Sequence, residues 1–220
     1  MTDTTTAQQS GQGRRSEGRR LVVVSFVSLD GYTVGPDEDM SWVVDGFDPQ
    51  MQEDVAADMD RLYDVFLFGR VTFEILADYW PHAIPYGEGD ALAPAEGRED
   101  PRIIRALNDR PKVVFSTTLG QPEWANTRVV AGGLTDEVRR LKAEQGRAIN
   151  VQGSASVVQA LAAADLVDEY RLYVHPVLLG AGTPLFAAGH DRTDLALTHL
   201  TRYDNGVIGA TYQRKDGATP

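Results

Sequence analysis

Apolar residues along this chain switch between two spacings. Leu21-Val-Val-Val-Ser-Phe-Val-Ser28 is β-branched and almost continuously apolar, which predicts a central strand buried on both faces. Asp30-Gly31 breaks that run, and Gly35-Pro36-Asp37-Glu38-Asp39 predicts a loop. Asp48-Pro49 offers a side-chain cap followed by proline at the first helical position, and Met51, Val55, Met59 and Leu62 then recur at helical spacing through about Tyr63. Asp64 to Phe68 predicts a second strand ended by Gly69-Arg70, and Thr72 to Tyr79 a short helix that Pro81 stops. Pro81 to Pro101, rich in Pro, Gly, Ala and acids, predicts a long surface loop.

The second half repeats the alternation. Ile103 to Leu107 predicts a short helix, Lys112 to Phe115 a strand closed by Ser116-Thr117-Thr118, and Thr127 to Ala131 another strand. Leu134 to Gln145 alternates apolar and charged residues as a helix does, with Gly146 at its C-terminal cap. Ala148 to Val151 predicts a strand, Gly153-Ser154 opens a helix through Ala164, and Val167 to Val174 predicts a strand running into His175-Pro176. Leu195 to Tyr203 and Val207 to Arg214 flank Asp204-Asn205-Gly206, a hairpin signal. Strands alternating with helices imply an α/β fold: a mostly parallel central sheet, helices on both faces, and an antiparallel hairpin at the C-terminal end. Residues 1–20 hold almost no large apolar side chains and are expected to be a disordered tail, with one folded domain over 21–215 and a short disordered tail over 216–220.

Composition narrows the function classes. With no cysteine among 220 residues, disulfides, thiolate zinc sites and cysteine nucleophiles are excluded. The net charge of −11 repels phosphate backbones, so the expectation is no nucleic-acid partner, and any phosphorylated ligand needs a locally basic or N–H-rich site. No apolar run approaches the roughly 20 residues of a membrane helix, so no membrane partner is expected. Arg14, Arg15, Arg19 and Arg20 before Leu21 to Leu29 resemble a twin-arginine leader, but the short Val-rich run reads better as a strand, and a cytoplasmic setting is expected.

In open sheets of this kind ligands bind at the carboxyl ends of strands, where loops lead into helix N-termini. Three such junctions stand out. Gly69-Arg70-Val71-Thr72 joins strand to helix: glycine lets backbone approach an anion, the helix supplies free N–H groups, and Arg70 adds a fork suited to phosphate. Gly153-Ser154-Ala155-Ser156 repeats the arrangement with small residues only, so a pyrophosphate can lie against the backbone. Ser116 and Thr117 offer hydroxyls suited to a ribose. Each also admits a plain structural reading as a turn or cap, and the full G-x-G-x-x-G dinucleotide fingerprint is absent. The four histidines, His82, His175, His190 and His199, lack metal-ligand spacing, so no metal is expected.

Taken in order, these motifs resemble the dihydrofolate-reductase-like family. Gly69-Arg70-Val71-Thr72-Phe73-Glu74 is similar to the Gly-Arg/Lys-x-Thr-Trp/Phe segment of dihydrofolate reductases, Lys112 to Thr117 to their next cofactor strand, and Val151-Gln152-Gly153-Ser154 to their Gly-Gly turn. Ser28-Leu29-Asp30-Gly31 and Val174-His175-Pro176 through Gly180-Ala181-Gly182-Thr183-Pro184-Leu185-Phe186 resemble the reductase domain of bacterial bifunctional riboflavin-biosynthesis deaminase-reductases. The resemblance implies a three-layer dihydrofolate-reductase-like fold and an NADPH-dependent reductase, with NADH as a possible substitute, acting on a C=N or C=O bond of a small pterin-like or pyrimidine heterocycle. It implies that Gly69, Arg70, Thr72, Gly153, Ser154, Ala155 and Ser156 hold the phosphates and that Ser116 and Thr117 meet the adenosine ribose or its 2′-phosphate. Gly35 to Trp42 would form a mobile loop over the nicotinamide. Asp54 or Glu53 would be the catalytic carboxylate, and Asp30, Trp42 and His175 would face the substrate. A homodimer is expected, as in the riboflavin branch. The departures are Gln152 for the first glycine of the pair and Ala155 where many folate reductases carry arginine. Two rival readings stay open. One is a ribosylaminopyrimidine-phosphate reductase, against which residues 175–182 carry no lysine or arginine; the other is a non-catalytic nucleotide-binding protein. Zinc deamination is excluded because no cysteine is present.

Overall fold

The structure, a computed structural model, describes residues 18–44, 48–86, 98–189 and 191–215. The first part of the chain supplies β1 (Leu21–Ser28), β2 (Tyr32–Val34), the four-residue α1 (Ser41–Val44), α2 (Pro49–Leu62), β3 (Tyr63–Gly69) and α3 (Arg70–Tyr79). Then come β4 (Ile84–Pro85), β5 (Arg98–Glu99), α4 (Pro101–Asp109), β6 (Lys112–Phe115), β7 (Thr127–Val130) and α5 (Leu134–Ala143). The remainder supplies β8 (Ala148–Gln152), α6 (Ala155–Ala163), β9 (Glu169–His175), β10 (Thr183–Pro184), β11 (Leu195–Arg202) and β12 (Ile208–Arg214).

Eight strands form one sheet in the order β11-β12-β9-β1-β8-β3-β6-β7. From β9 to β7 every neighbouring pair is parallel, while β12 and β11 join antiparallel at one edge. β1 lies inside the sheet and is buried on both faces, as its β-branched run predicts. Leu21, Val23 and Val27 pack with Val138 and Leu141 of α5 and Val157, Val158 and Leu161 of α6, whereas Val22 packs on the other side with Met59 of α2, Phe73 of α3 and Leu107 of α4. The three-layer α/β architecture expected from the alternating pattern is therefore present.

The element ends show local causes. The Asp48 carboxylate accepts from the Met51 N–H at 2.7 Å, with Pro49 opening α2. Asp100 caps α4 in the same way, so that helix begins at Pro101 rather than Ile103. The long loop after Pro81 is pinned at both ends by the short parallel pair β4 and β5; residues 87–97 lie outside the described residues. Gly146 is not the cap of α5, which ends at Ala143 with Glu144 in the cap position. Its missing side chain has another use: a Cβ there would stand 2.4 Å from Arg19 Nε and 2.5 Å from Asp64 Oδ2. That crowding marks a second correction. Arg19 pairs with Asp64 and Glu144, and Arg20 with the buried Glu169, so residues 18–20 belong to the folded body rather than to a disordered tail. Residues 1–17 and 216–220 lie outside the described residues, as does His190.

Candidate active site at the carboxyl edge of the parallel strands

β3 and β8 are neighbours, and both end at the same edge of the sheet. β3 runs out at Gly69, the residue before α3; β8 runs out at Gln152, with Gly153 and Ser154 between it and α6. A side-chain clamp ties the two corners. Ser154 Oγ accepts from the Gly69 N–H at 2.8 Å and donates to Thr72 Oγ1 at 2.7 Å. The fit is close: a Cβ on Gly69 would lie 3.1 Å from Ser154 Oγ and 3.3 Å from Val157 Cγ2. Gly153 and Ser154 both adopt left-handed backbone conformations, with φ of 57° each, which glycine tolerates freely and serine does not. The Gly153 N–H is held by Val24 O at 3.2 Å, fixing the turn to β1.

This arrangement brings Gly69, Thr72, Gly153, Ser154 and Ala155 together as the pattern predicts. The Ser154 hydroxyl is engaged between two protein partners and serves as the clamp. Neither α3 nor α6 has a side-chain cap at its N-terminus. Two helix N-termini thus open side by side with first-turn N–H groups that no capping side chain takes up, each carrying roughly half a positive charge. Arg70 stands at the first position of α3, paired with Glu74 at 2.6 Å on an exposed surface. Ser156 is exposed in the first turn of α6.

β6 flanks β3 on the other side, with Phe115 opposite Gly69, so Ser116 and Thr117 emerge beside the same corner. Ser116 Oγ accepts from the N–H groups of Thr118 and Leu119 and shapes the turn; Thr117 is exposed. The three junctions singled out in the sequence therefore converge on one edge.

β1 and β9 run past the end of β8: Val24 lies opposite Gln152, whereas Ser28 lies opposite His175. His175 is 1% exposed, and its Nε2 has no hydrogen-bond partner. Its ring meets Trp42 edge-on at 5.1 Å and Phe26 at 6.0 Å. Burial holds the imidazole below its ordinary range, so the ring is neutral and offers one donor and one acceptor. Trp42 leads α1, and the turn before it is closed by its own hydrogen bonds: Gly35 N–H to Asp39 O, the Ser41 N–H to Asp39 Oδ1 and Trp42 Nε1 to Asp39 O.

Three further predicted site residues are each held by protein partners. Asp30 accepts from Ser28 Oγ at 2.6 Å and from the N–H groups of Leu179 and Gly180. These bonds, Ser28 first, hold its carboxyl below the usual range and make it a latch between the end of β1 and the loop after β9. Glu53 forms a two-pronged ion pair with Arg102, which is also bound to Asp100. The Arg102 hydrogen bonds hold its carboxyl below the usual range. Asp54 accepts from Tyr203 Oη at 2.9 Å and lines a cavity with β9, β12 and β11, with β1 between β9 and the Gly69–Ser154 corner in the sheet order. Sequence reasoning also missed the ionic group Arg20–Glu169–Arg171–Asp58 beneath α2. The one signal for it was an acid and a base, Glu169 and Arg171, two apart in a strand and hence on one face.

Comparison with known proteins now decides the family. The model of the RibD C-terminal domain matches residues 19–209. The chain belongs to the RibD C-terminal domain family. Among curated relatives of this RibD C-terminal domain, the Bacillus subtilis protein YyaP is 30% identical over 195 residues, covering 88% of this chain and 94% of that protein. YwjB of the same organism is 26% identical over 189 residues, covering 86% and 95%. A putative riboflavin biosynthesis protein from Shewanella sp. PV-4 superposes with a TM-score of 0.66 at 22% identity, covering 89% of this chain and 99% of that one. A dihydrofolate reductase from Enterococcus faecalis, complexed with NADP(H) and RAB-propyl, superposes with a TM-score of 0.53 at 14% identity, covering 90% and 97%. The fold is that of the dihydrofolate reductases. Among the described residues no helix is long and apolar enough to cross a membrane, and no cluster of His, Cys, Asp and Glu is arranged to hold a metal ion.

Proposed function

We propose that this RibD C-terminal domain is an NADPH-dependent reductase of a small heterocycle, of pyrimidine type rather than pterin type. The observation that carries the reading is the clamped pair of uncapped helix N-termini at Gly69 and Ser154, beside Arg70. The first turns of α3 and α6 present N–H donors to a pyrophosphate, and a chain with a net charge of −11 needs such local donors. When bound, NADPH supplies the hydride. Arg70 adds charge to the phosphate site, Ser116 and Thr117 border the ribose, and Trp42 with His175 forms the acceptor side of the cleft. The neutral His175 ring, unpartnered at Nε2, is a hydrogen-bonding group for a flat uncharged heterocycle, while Trp42 covers it and excludes water. With Glu53 and Asp54 engaged by other partners and the His175 ring neutral, the acceptor is protonated through water. Family membership favours the pyrimidine branch, and the absence of Lys and Arg over 175–182 favours an acceptor without a ribose phosphate at that loop.

Titration of NADPH and NADH against the full chain, followed by nucleotide fluorescence, tests the cofactor half of this reading. Arg70→Ala is expected to weaken NADPH binding by about 1.5–3 kcal/mol, the range for a hydrogen bond to a charged group. Unchanged affinity removes Arg70 from the site, and absence of binding to either nucleotide overturns the assignment. Oxidation of bound NADPH with supplied dihydropterin and aminopyrimidine acceptors separates an enzyme from a nucleotide-binding protein without turnover.

The reading includes a homodimer. Leu197, Leu200 and Ile208 are 50%, 59% and 42% exposed, and the β11–β12 register puts them on one face with Tyr212. An exposed apolar sheet face at an antiparallel edge is suited to a second copy of itself. Light scattering after size exclusion is expected to give a dimer that Leu200→Asp dissociates; a monomer at micromolar concentration overturns this part alone.

A further inference from the structure

A cavity of about 330 Å3 lies between α2 and the antiparallel wing of the sheet, away from the nucleotide corner. Its wall on α2 carries Asp54 and Asp58, one helical turn apart and so on one face. Its wall on the sheet carries Arg171, Tyr173 and Tyr203, and the exposed His199, bonded to Thr201 Oγ1 at 3.1 Å, stands at the rim. Ala57 and Gly209 contribute almost no bulk and leave the space open.

The charges of this wall do not balance. Asp54 and Asp58 face one guanidinium, Arg171, which leaves two carboxylates to one cation on this wall. Arg171 is moreover shared with Glu169 at 2.6 Å. Among the described residues Asp58 accepts one side-chain hydrogen bond, on Oδ2 from Arg171. Burial raises the Asp58 carboxyl above its usual range against the pull of Arg171, and Asp54 and Glu169 add to that. A second sign of a missing partner lies beside the same ion pair. Tyr63 is 1% exposed, its hydroxyl has no hydrogen-bond partner, and it feels the charges of Arg171 and Asp58. Tyr173 and Tyr203 stack at 6.3 Å with 29° between their planes, giving the cavity an aromatic lining of the kind that attracts cations.

We propose that this cavity binds a small organic monocation of the ammonium or amidinium class, held by Asp58 and Asp54 against the Tyr173–Tyr203 pair. A single positive charge neutralises the wall, its N–H groups fill the acceptor capacity of Asp58, and the tyrosine rings contact its carbon skeleton. The site is distinct from the nucleotide site, because β1 stands between its β9 wall and the Gly69–Ser154 corner.

Isothermal titration of the full chain with benzamidine, and with uncharged benzamide as its near-isosteric control, tests the site. Benzamidine is expected to bind one to one and benzamide not to bind. Asp58→Asn is expected to weaken benzamidine roughly tenfold or more, the scale of a lost charge-assisted hydrogen bond, and to leave NADPH affinity unchanged. Because Asp58→Asn also disturbs the Arg171 pair, Ala57→Leu provides a second arm that fills the space without changing charge and is expected to abolish binding. Equal binding of benzamide, indifference to both substitutions, displacement of benzamidine by NADPH, or no benzamidine binding at millimolar concentration would overturn the proposal.

Discussion

The parallel half of the sheet and its antiparallel wing hold their polar groups in different ways. At the Gly69–Ser154 corner the ordering is done by backbone geometry and one hydroxyl: two left-handed residues, a clamp of two hydrogen bonds, and helix ends left uncapped. In the wing it is done by charge. Glu169, 1% exposed, is gripped by Arg20, Arg171 and Gln213, and Arg171 in turn binds Asp58. The first design leaves the N-termini of α3 and α6 without side-chain caps. The second turns charged side chains inward and leaves a cavity with surplus negative charge. On the function proposed above, one sheet offers surfaces of opposite electrostatic character at its two ends, and a chain with a net charge of −11 presents phosphates with local N–H donors.

Substitutions that remove the organising group of each region sharpen this contrast. The largest effect is expected in the wing: Arg171→Met strips a buried carboxylate of one of its cations, and removing one partner of such a pair costs about 3–5 kcal/mol. Arg20 and Gln213 remain on Glu169, so the loss should fall near the lower end, read from urea denaturation, with nucleotide affinity retained in the folded protein. A loss below about 1 kcal/mol would mean that the ionic group is not what orders the wing. At the other end, Ser154→Ala leaves the Gly69 N–H and the Thr72 hydroxyl without their shared partner, and about 1–3 kcal/mol of stability should go with it. Here NADPH binding should weaken as well, because the two corners are no longer held in register; unaltered binding would break the link between clamp and site.

Acidification should act on both regions with the same sign. Burial alone would raise the Glu169 carboxyl, but hydrogen bonds from Gln213 and Arg171 and the charges of Arg171 and Arg20 overcome it and hold the group below its usual range. The stability it contributes is present above the unfolded carboxylate pKa and lost as pH falls through the folded one. His175, held below the ordinary imidazole range by burial, stays neutral in the folded protein while the unfolded chain takes up a proton. Its contribution therefore falls as pH drops below the ordinary imidazole range. Chemical denaturation across pH should show an upper step that His175→Phe removes and a lower one that it does not. The smallest effect is expected from Glu74→Gln. The exposed Arg70–Glu74 pair contributes under about 0.5 kcal/mol to stability, so unfolding should hardly change, while a freed Arg70 should bind NADPH somewhat more tightly.

The carboxylates on α2 show where reading along the chain stops. Glu53 and Asp54 are neighbours in sequence, yet successive helical residues point about 100° apart. One meets Arg102 at the start of α4 and the other meets Tyr203 after β11, and neither partner is near in sequence. Asp30 resembles a pocket residue at a strand end, but its oxygens are satisfied by N–H groups some 150 positions away in the loop after β9. Glu169 and Arg171 sit on one strand in plain view, while their partners come from the N-terminal segment and from α2.

What the chain alone determined is what short-range physics governs: β1 as a doubly buried strand, Asp48-Pro49 as a helix start, Asp204-Asn205-Gly206 as a hairpin, and glycine at the turns where β3 and β8 end. These depend on backbone conformation and apolar spacing over a few residues, and both are written in the local sequence. Only the tertiary structure decided that Ser154 clamps Gly69 to Thr72, that His175 lies under Trp42, and that the acids of α2 part company, Glu53 to Arg102 of α4, Asp54 to Tyr203 and Asp58 to Arg171 of β9. Those outcomes depend on which strands become neighbours, and the partners are brought together across 49 to 149 positions by packing that no local pattern encodes.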